Sequence, residues 1–249
     1  MQRVFSSLCV TLALLGSASH AVAAEPAHKP AFKLPPSAEL HYTIKAKQHG
    51  LSIGGDGVLR WSWDASDHSY SILSETRAAL FGKIQESKSE GGIDEFGLAP
   101  LQFTDKRFRK EPTTTTFKRD TKLISFSESA DTYPIKGGEQ DRASASWQLL
   151  AQARGAPGKF IDGSEWSMFV AGRRDAEPWM FKVVNHEMIS TALGKFNAVH
   201  LVKAPPPDSK DQQLDIWLAP ALEWYPVRLR FADADGDFVD QLLESVDKK

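Results

Sequence analysis

The strongest constraint on this chain is a period of two that recurs along it. Near the C-terminus Val227, Leu229 and Phe231 alternate with Arg228 and Arg230. An extended segment with that pattern has one apolar and one charged face. Asp235-Gly236 then offers residues suited to a tight two-residue hairpin turn, and Phe238 to Val246 returns from it. The same alternation comes earlier, where Leu40, Tyr42, Ile44 and Ala46 interleave with Glu39, His41, Thr43 and Lys45. Further strands are expected at 59–63, 70–76, 101–108, 113–117, 122–127, 166–170, 179–184, 195–202 and 214–218. Turn residues break these segments at short intervals, which points to a meandering antiparallel sheet and not to βα units. One helix interrupts the meander. Arg142 to Ala153 places Ala143, Trp147, Leu150 and Ala151 on one face, and Gly155 and Pro157 end it. Asp141 stands where a side chain caps the helix N-terminus. Arg77 to Ile84 has some helical character, which Gly82 opposes.

The first residues have the three parts of a secretory leader. Arg3 is followed by the apolar Val4–Leu15, and Ala21-Val22-Ala23 offers a cleavage site. Residues 1–23 are therefore expected to be removed, leaving an exported, periplasmic chain with no transmembrane segment. The only cysteine, Cys9, lies in that leader, so the processed chain would need no disulfide. Residues 24–37 hold Pro26, Pro30, Pro35 and Pro36 and read as a flexible lead-in to a single domain over 38–249. The formal charge is 30 − 32 = −2, or −3 without Arg3, and gives no electrostatic case for a nucleic-acid partner.

Four ordered motifs carry a family resemblance. They are Gly91-Gly92-Ile93-Asp94-x-x-Gly97-Leu98-Ala99-Pro100, then Gln140-Asp141-Arg142-x-Ser144, then Leu193-Gly194-x-Phe196-x-Ala198-Val199-His200-Leu201, and last Trp217-Leu218-Ala219-Pro220 with Pro226-Val227-Arg228. Together they resemble the bacterial envelope family called domain of unknown function 3108. That resemblance implies an exported, mostly antiparallel β protein without an assigned activity. The Gly91-Gly92 pair departs from the family's usual single glycine after Ser89. The last thirty or so residues are also similar to periplasmic lipoprotein-carrier half-barrels, which implies a curved sheet around a helix with a greasy interior. The expected fold is thus mainly β, a single curved antiparallel sheet forming an open or closed barrel, lipocalin-like or lipoprotein-carrier-like, with one packed helix.

Chemistry is sparse in this sequence. Ser144 has no paired histidine and no nucleophile elbow. Asp233, Asp235 and Asp237 resemble half a calcium loop, but the glycine and the closing glutamate are misplaced. The histidines lack metal-ligand spacing, so no catalytic residue, metal or cofactor is expected. Isolated carboxylates such as Asp94, Asp141 and Glu187 leave a hydrolase of envelope polymers as the least favoured reading.

Of the seven tryptophans, Trp61, Trp63, Trp147, Trp166, Trp179 and Trp217 are the candidate lining of an interior able to hold a lipid tail. Core filling is the plainer alternative for each. Arg107, Arg109 and Lys118 lie in a basic hairpin able to meet an anionic headgroup, a solvated strand face being the plainer account. The expected function is a non-catalytic periplasmic binding or carrier protein for an apolar lipid or glycolipid. The alternative is a protein that docks onto envelope assembly machinery.

Overall fold

The computed structural model describes residues 29–205 and 212–248. The expected leader and its cleavage site lie outside the described residues. The first half of the fold is β1 (Ala38–Gln48), β2 (Leu51–Asp64), β3 (Ser69–Ala78), β4 (Gly82–Asp94), β5 (Gly97–Arg107), β6 (Thr113–Lys118), β7 (Leu123–Phe126) and β8 (Thr132–Pro134). After β9 (Gln140–Asp141) and the helix α1 (Ser144–Gly155) come β10 (Glu165–Ala171), β11 (Ala176–Thr191), β12 (Gly194–Lys203), β13 (Gln213–Leu218), β14 (Pro226–Ala232) and β15 (Phe238–Lys248).

All the strands lie in one sheet, in the order β8-β7-β6-β5-β4-β3-β2-β1-β15-β14-β13-β12-β11-β10-β9. The sheet is therefore two consecutive meanders spliced where β1 pairs antiparallel with β15. Every ladder is antiparallel except the short β9–β10 pair. The expected mainly β fold with one helix is what forms.

The two outer edges do not share a backbone ladder, but side chains bring them together. Thr115 Oγ1 of β6 donates to the carbonyl of Gly172, beyond β10, at 2.6 Å. Gln140 Nε2 of β9 donates to the carbonyl of Leu98 in β5 at 2.7 Å. Phe117 and Ile124 pack with Ala171 and Ala176 across the same seam. The sheet is an open ladder curled into a barrel and closed by packing.

Helix α1 occupies the interior. It begins two residues later than the apolar spacing suggests, because Arg142 and Ala143 form a turn ahead of it. Its buried set runs from Ser144 and Ala145 through Trp147 to Ala153, around the helix and not along one stripe. A helix buried on all sides belongs inside a fold. Trp147 stacks on Trp61 of β2 with ring centroids 4.7 Å apart and planes 15° apart, and meets Tyr225 edge-on.

The proline-rich segment, expected as a flexible lead-in, contributes its backbone to this packing. Lys33 N–H donates to Ala151 O at 2.9 Å. The Trp61 indole donates to Pro35 O, and the Tyr225 hydroxyl to Pro36 O. Gly155 leaves room for the Phe32 backbone, since a Cβ there would lie 2.6 Å from Phe32 Cα.

Three local expectations are corrected. Residues 77–84 form no helix but the hairpin between β3 and β4, where Gly82 takes φ +68. The turn before β15 is longer than two residues: Gly236 N–H bonds Asp233 O, and Asp233 N–H bonds Asp237 O. Strand β4 went unexpected because few of its side chains are buried and no clean alternation marks it.

Candidate functional site

The motif residues converge on a buried polar knot between β3, β4, β9 and α1. Asp141 Oδ1 accepts the backbone N–H groups of Ala143 and Ser144, both at 2.8 Å, which satisfies donors at the start of the helix. Its Oδ2 accepts the Ser89 hydroxyl at 2.5 Å, and Ser89 Oγ lies 2.9 Å from the Tyr70 hydroxyl. Burial pushes the Asp141 carboxyl up to about 6, against the hydrogen bonds from Ser89, Ser144 and Ala143 that pull it down. Burial, and then the charge on Asp141, holds the Tyr70 phenol well above its ordinary value. Nearby, Gln148 Oε1 accepts Leu98 N–H and its Nε2 donates to Phe96 O, tying the β4–β5 turn to α1. Ser89, Asp141 and Ser144 are fully buried and have no histidine among these hydrogen-bond partners. The knot positions the helix.

Above it opens a groove of about 490 Å³ lined by Trp63, Asp64, Tyr70, Glu90, Gly91 and Leu101, among others. Trp63 and Tyr70 face each other across the β2–β3 ladder, and Tyr70 faces Gly91 across β3–β4. Trp63 is 37% exposed and Leu101 50% exposed, whereas Tyr70 forms the buried floor. Strand alternation puts the Trp63 and Tyr70 side chains on one face of the sheet and those of Ser62, Asp64, Ser69, Ser71 and Glu90 on the other.

The six candidate tryptophans do not line one cavity. Trp61 and Trp147 fill the interior as a stacked pair. Trp179 is also buried on the inner face, with Lys203 Nζ 4.9 Å from its ring centroid and its indole donating to Glu177. Trp166 is half-buried and stacks on Phe160 at 4.0 Å. Trp63 is at the rim, not inside.

Trp217 is a further correction. Its neighbour Ile216 pairs with Leu201 and Leu229, which are buried, whereas Trp217 pairs with His200 and Arg228 on the opposite, outer face. There it is buried between a stacked His200 ring at 4.1 Å and the Arg228 guanidinium at 4.7 Å, and its indole donates to Glu187. His200 also bonds Asp215 at 2.8 Å. Burial alone would raise Asp215, but His200 and Gln213 hold its carboxyl below the usual range.

The basic candidates separate as well. Arg107 pairs with Asp105, and Arg109 lies over the Phe108 ring, both near the β5–β6 turn. Lys118 is at the far end of β6, because Thr113 pairs with Asp105 and Thr116 with Gln102. Among the described residues no cluster of histidine, cysteine, aspartate and glutamate could hold a metal.

Sequence reasoning missed the partnership of Tyr70, Ser89 and Asp141. Ser89 sits just before Gly91, but no local spacing links it to a residue fifty positions away.

The fold resembles that of a β-barrel-like protein of domain of unknown function DUF1849 from Brucella abortus, with TM-score 0.59 at 11% identity over 88% of this chain and all of that one. Looser matches are a protein described as exported with a YmcC-like fold from Bacteroides fragilis (TM-score 0.37, 10% identity, 88% and 100% covered) and a domain described as outer membrane lipoprotein-sorting from Vibrio parahaemolyticus (TM-score 0.31, 8% identity, 86% of each covered). Neither superposes closely enough to carry a functional argument. No curated protein matches the sequence. The model of the family described as protein of unknown function DUF3108 matches residues 39–243, and the chain belongs to that family.

Proposed function

We propose that the protein is a non-catalytic, periplasmic binding protein for an apolar envelope component, a lipid or glycolipid, taken up in the rim groove and not in the barrel interior. The interior is occupied by α1 and the Trp61–Trp147 stack. The observation that carries the reading is Trp63, an exposed indole beside Tyr70 and Leu101 in a groove of about 490 Å³. That volume is within the range of small-ligand sites. The exposed indole suits an acyl chain or a sugar face.

Titration with lysophospholipids and alkyl glycosides of increasing chain length tests the proposal. Saturable changes in tryptophan fluorescence are expected, weakened about tenfold or more by Trp63→Ala and unaltered by Trp217→Ala. No saturable binding, or binding indifferent to Trp63→Ala, would overturn it. The packed interior favours, as a second reading, docking onto an envelope protein.

A further inference from the structure

At the end of the strands opposite the groove, two neighbouring turns combine apolar tips with cations. Leu80 and Phe81 lie in the β3–β4 turn and are 87% and 57% exposed; Phe108 opens the β5–β6 turn at 41%. The turns are held side by side, with Gln85 opposite Arg107 in the β4–β5 ladder and Phe108 N–H donating to Ile84 O at 2.8 Å. The Phe81 and Phe108 rings lie 6.2 Å apart. Hairpin turns are normally polar, so three large apolar side chains at two adjacent tips are unexpected in a surface that meets only water.

The surrounding charge is mixed, with the exposed side chains mostly cationic. Lys83 is held by Glu75 and Glu86, and Arg107 by Asp105. Among the described residues Arg77, Lys106, Arg109 and Lys110 make no ion pair, and all are exposed. Glu111 is the exposed carboxylate of the β5–β6 turn, and the exposed Asp56 stands opposite Arg77 in the β2–β3 ladder. The acidic turn 233–237 lies at the same end but beside β1, where the Asp237 carboxylate accepts His49 N–H.

We infer that the Leu80–Phe81–Phe108 tip, with Arg77, Lys106, Arg109 and Lys110 around it, docks on the surface of an anionic phospholipid bilayer. Convex apolar tips suit a fluid interface, where side chains enter between headgroups and cations meet phosphates. A folded partner would instead call for a broad, flat or concave face of about 800 Å² per side. Only a shallow cleft of about 100 Å³ lies between the turns. The acidic turn by β1 would tilt the barrel so that the β3–β6 side enters first. This surface is remote from the rim groove, so its test is independent of the proposed ligand.

The test is vesicle co-sedimentation of the purified protein with equimolar phosphatidylglycerol and phosphatidylcholine against phosphatidylcholine alone. Binding to the anionic vesicles is expected, reduced about tenfold or more by Leu80→Ser with Phe81→Ser, and weakened by Arg109→Gln with Lys110→Gln or by about 0.5 M salt. These side chains are exposed, and unchanged circular dichroism would show that the variants fold. A Phe81→Cys variant carrying an environment-sensitive dye, in the leaderless chain that has no other cysteine, should shift its emission blue on the anionic vesicles only. Absent binding, equal binding to both vesicles, or binding unchanged in the serine variant would each overturn the inference. Cross-linking of residue 81 to an envelope protein without vesicle binding would assign the tip to a protein instead.

Discussion

Asp141 combines two duties that ordinarily compete: its carboxylate closes the first turn of α1, and it is fully buried. Because burial raises its pKa to about 6, the folded state binds a proton more tightly than the unfolded state does. Stability from this group is therefore greatest at low pH and declines as pH rises from the ordinary carboxylate value, about 4, to about 6. Thermal melts between those limits should show that slope, and Asp141→Asn should flatten it. Asp141→Ala should cost about 3 kcal/mol, more than a surface cap, because Ser89 and the N–H groups of Ala143 and Ser144 lose a buried acceptor. The capping role was legible from position alone. Its depth was not, since Tyr70 and Ser89 come from distant strands. Trp147 follows the same logic: its place on the helix was legible, its stacking on Trp61 was not. Urea denaturation should place Trp147→Ala about 3–5 kcal/mol below the parent, as expected for loss of a buried aromatic.

At the level of elements, alternation was a sound guide where one face is wet and failed where it is not. Strand β14 buries Val227 and Leu229 and leaves Arg228 and Arg230 partly exposed, as its sequence implies. Strand β13 buries both faces from Leu214 to Leu218, because a second layer of side chains covers its outside, so Trp217 gave no sign of which way it points. Strand β11 runs through a bulge between Val183 and Asn185 and continues to Thr191, well past its apolar stretch. Turns show a similar division. Gly97 has φ +112, and a Cβ there would lie 2.3 Å from Gln148 Oε1, the atom that accepts Leu98 N–H. Gly194 has φ +121 with nothing near it. Gly194→Ala should thus cost only backbone strain, about 1 kcal/mol. Gly97→Ala should cost about 2 kcal/mol more by displacing Gln148, a difference that paired melting curves would resolve.

At the scale of the whole molecule, a barrel was foreseeable but its mode of closure was not. Strand order follows the sequence within each meander, yet the seam depends on Thr115, Gln140 and Phe117, which no pattern distinguishes. Phe117→Ala should loosen that seam, seen as faster hydrogen exchange in β6 to β10 while β1 and β15 remain protected. The splice of β1 to β15 has a different consequence. It pairs Ala38 with Lys248, the first residue of one meander with the end of the other. The barrel is therefore nearly a ring in sequence as well as in space. A linker from Lys248 to the segment ahead of Ala38, which keeps its contacts with α1, could join those ends, and new termini could open in the exposed β11–β12 turn, leaving every ladder intact. Such a permutant should fold to the same sheet, with the chain reading its two meanders in a rotated order.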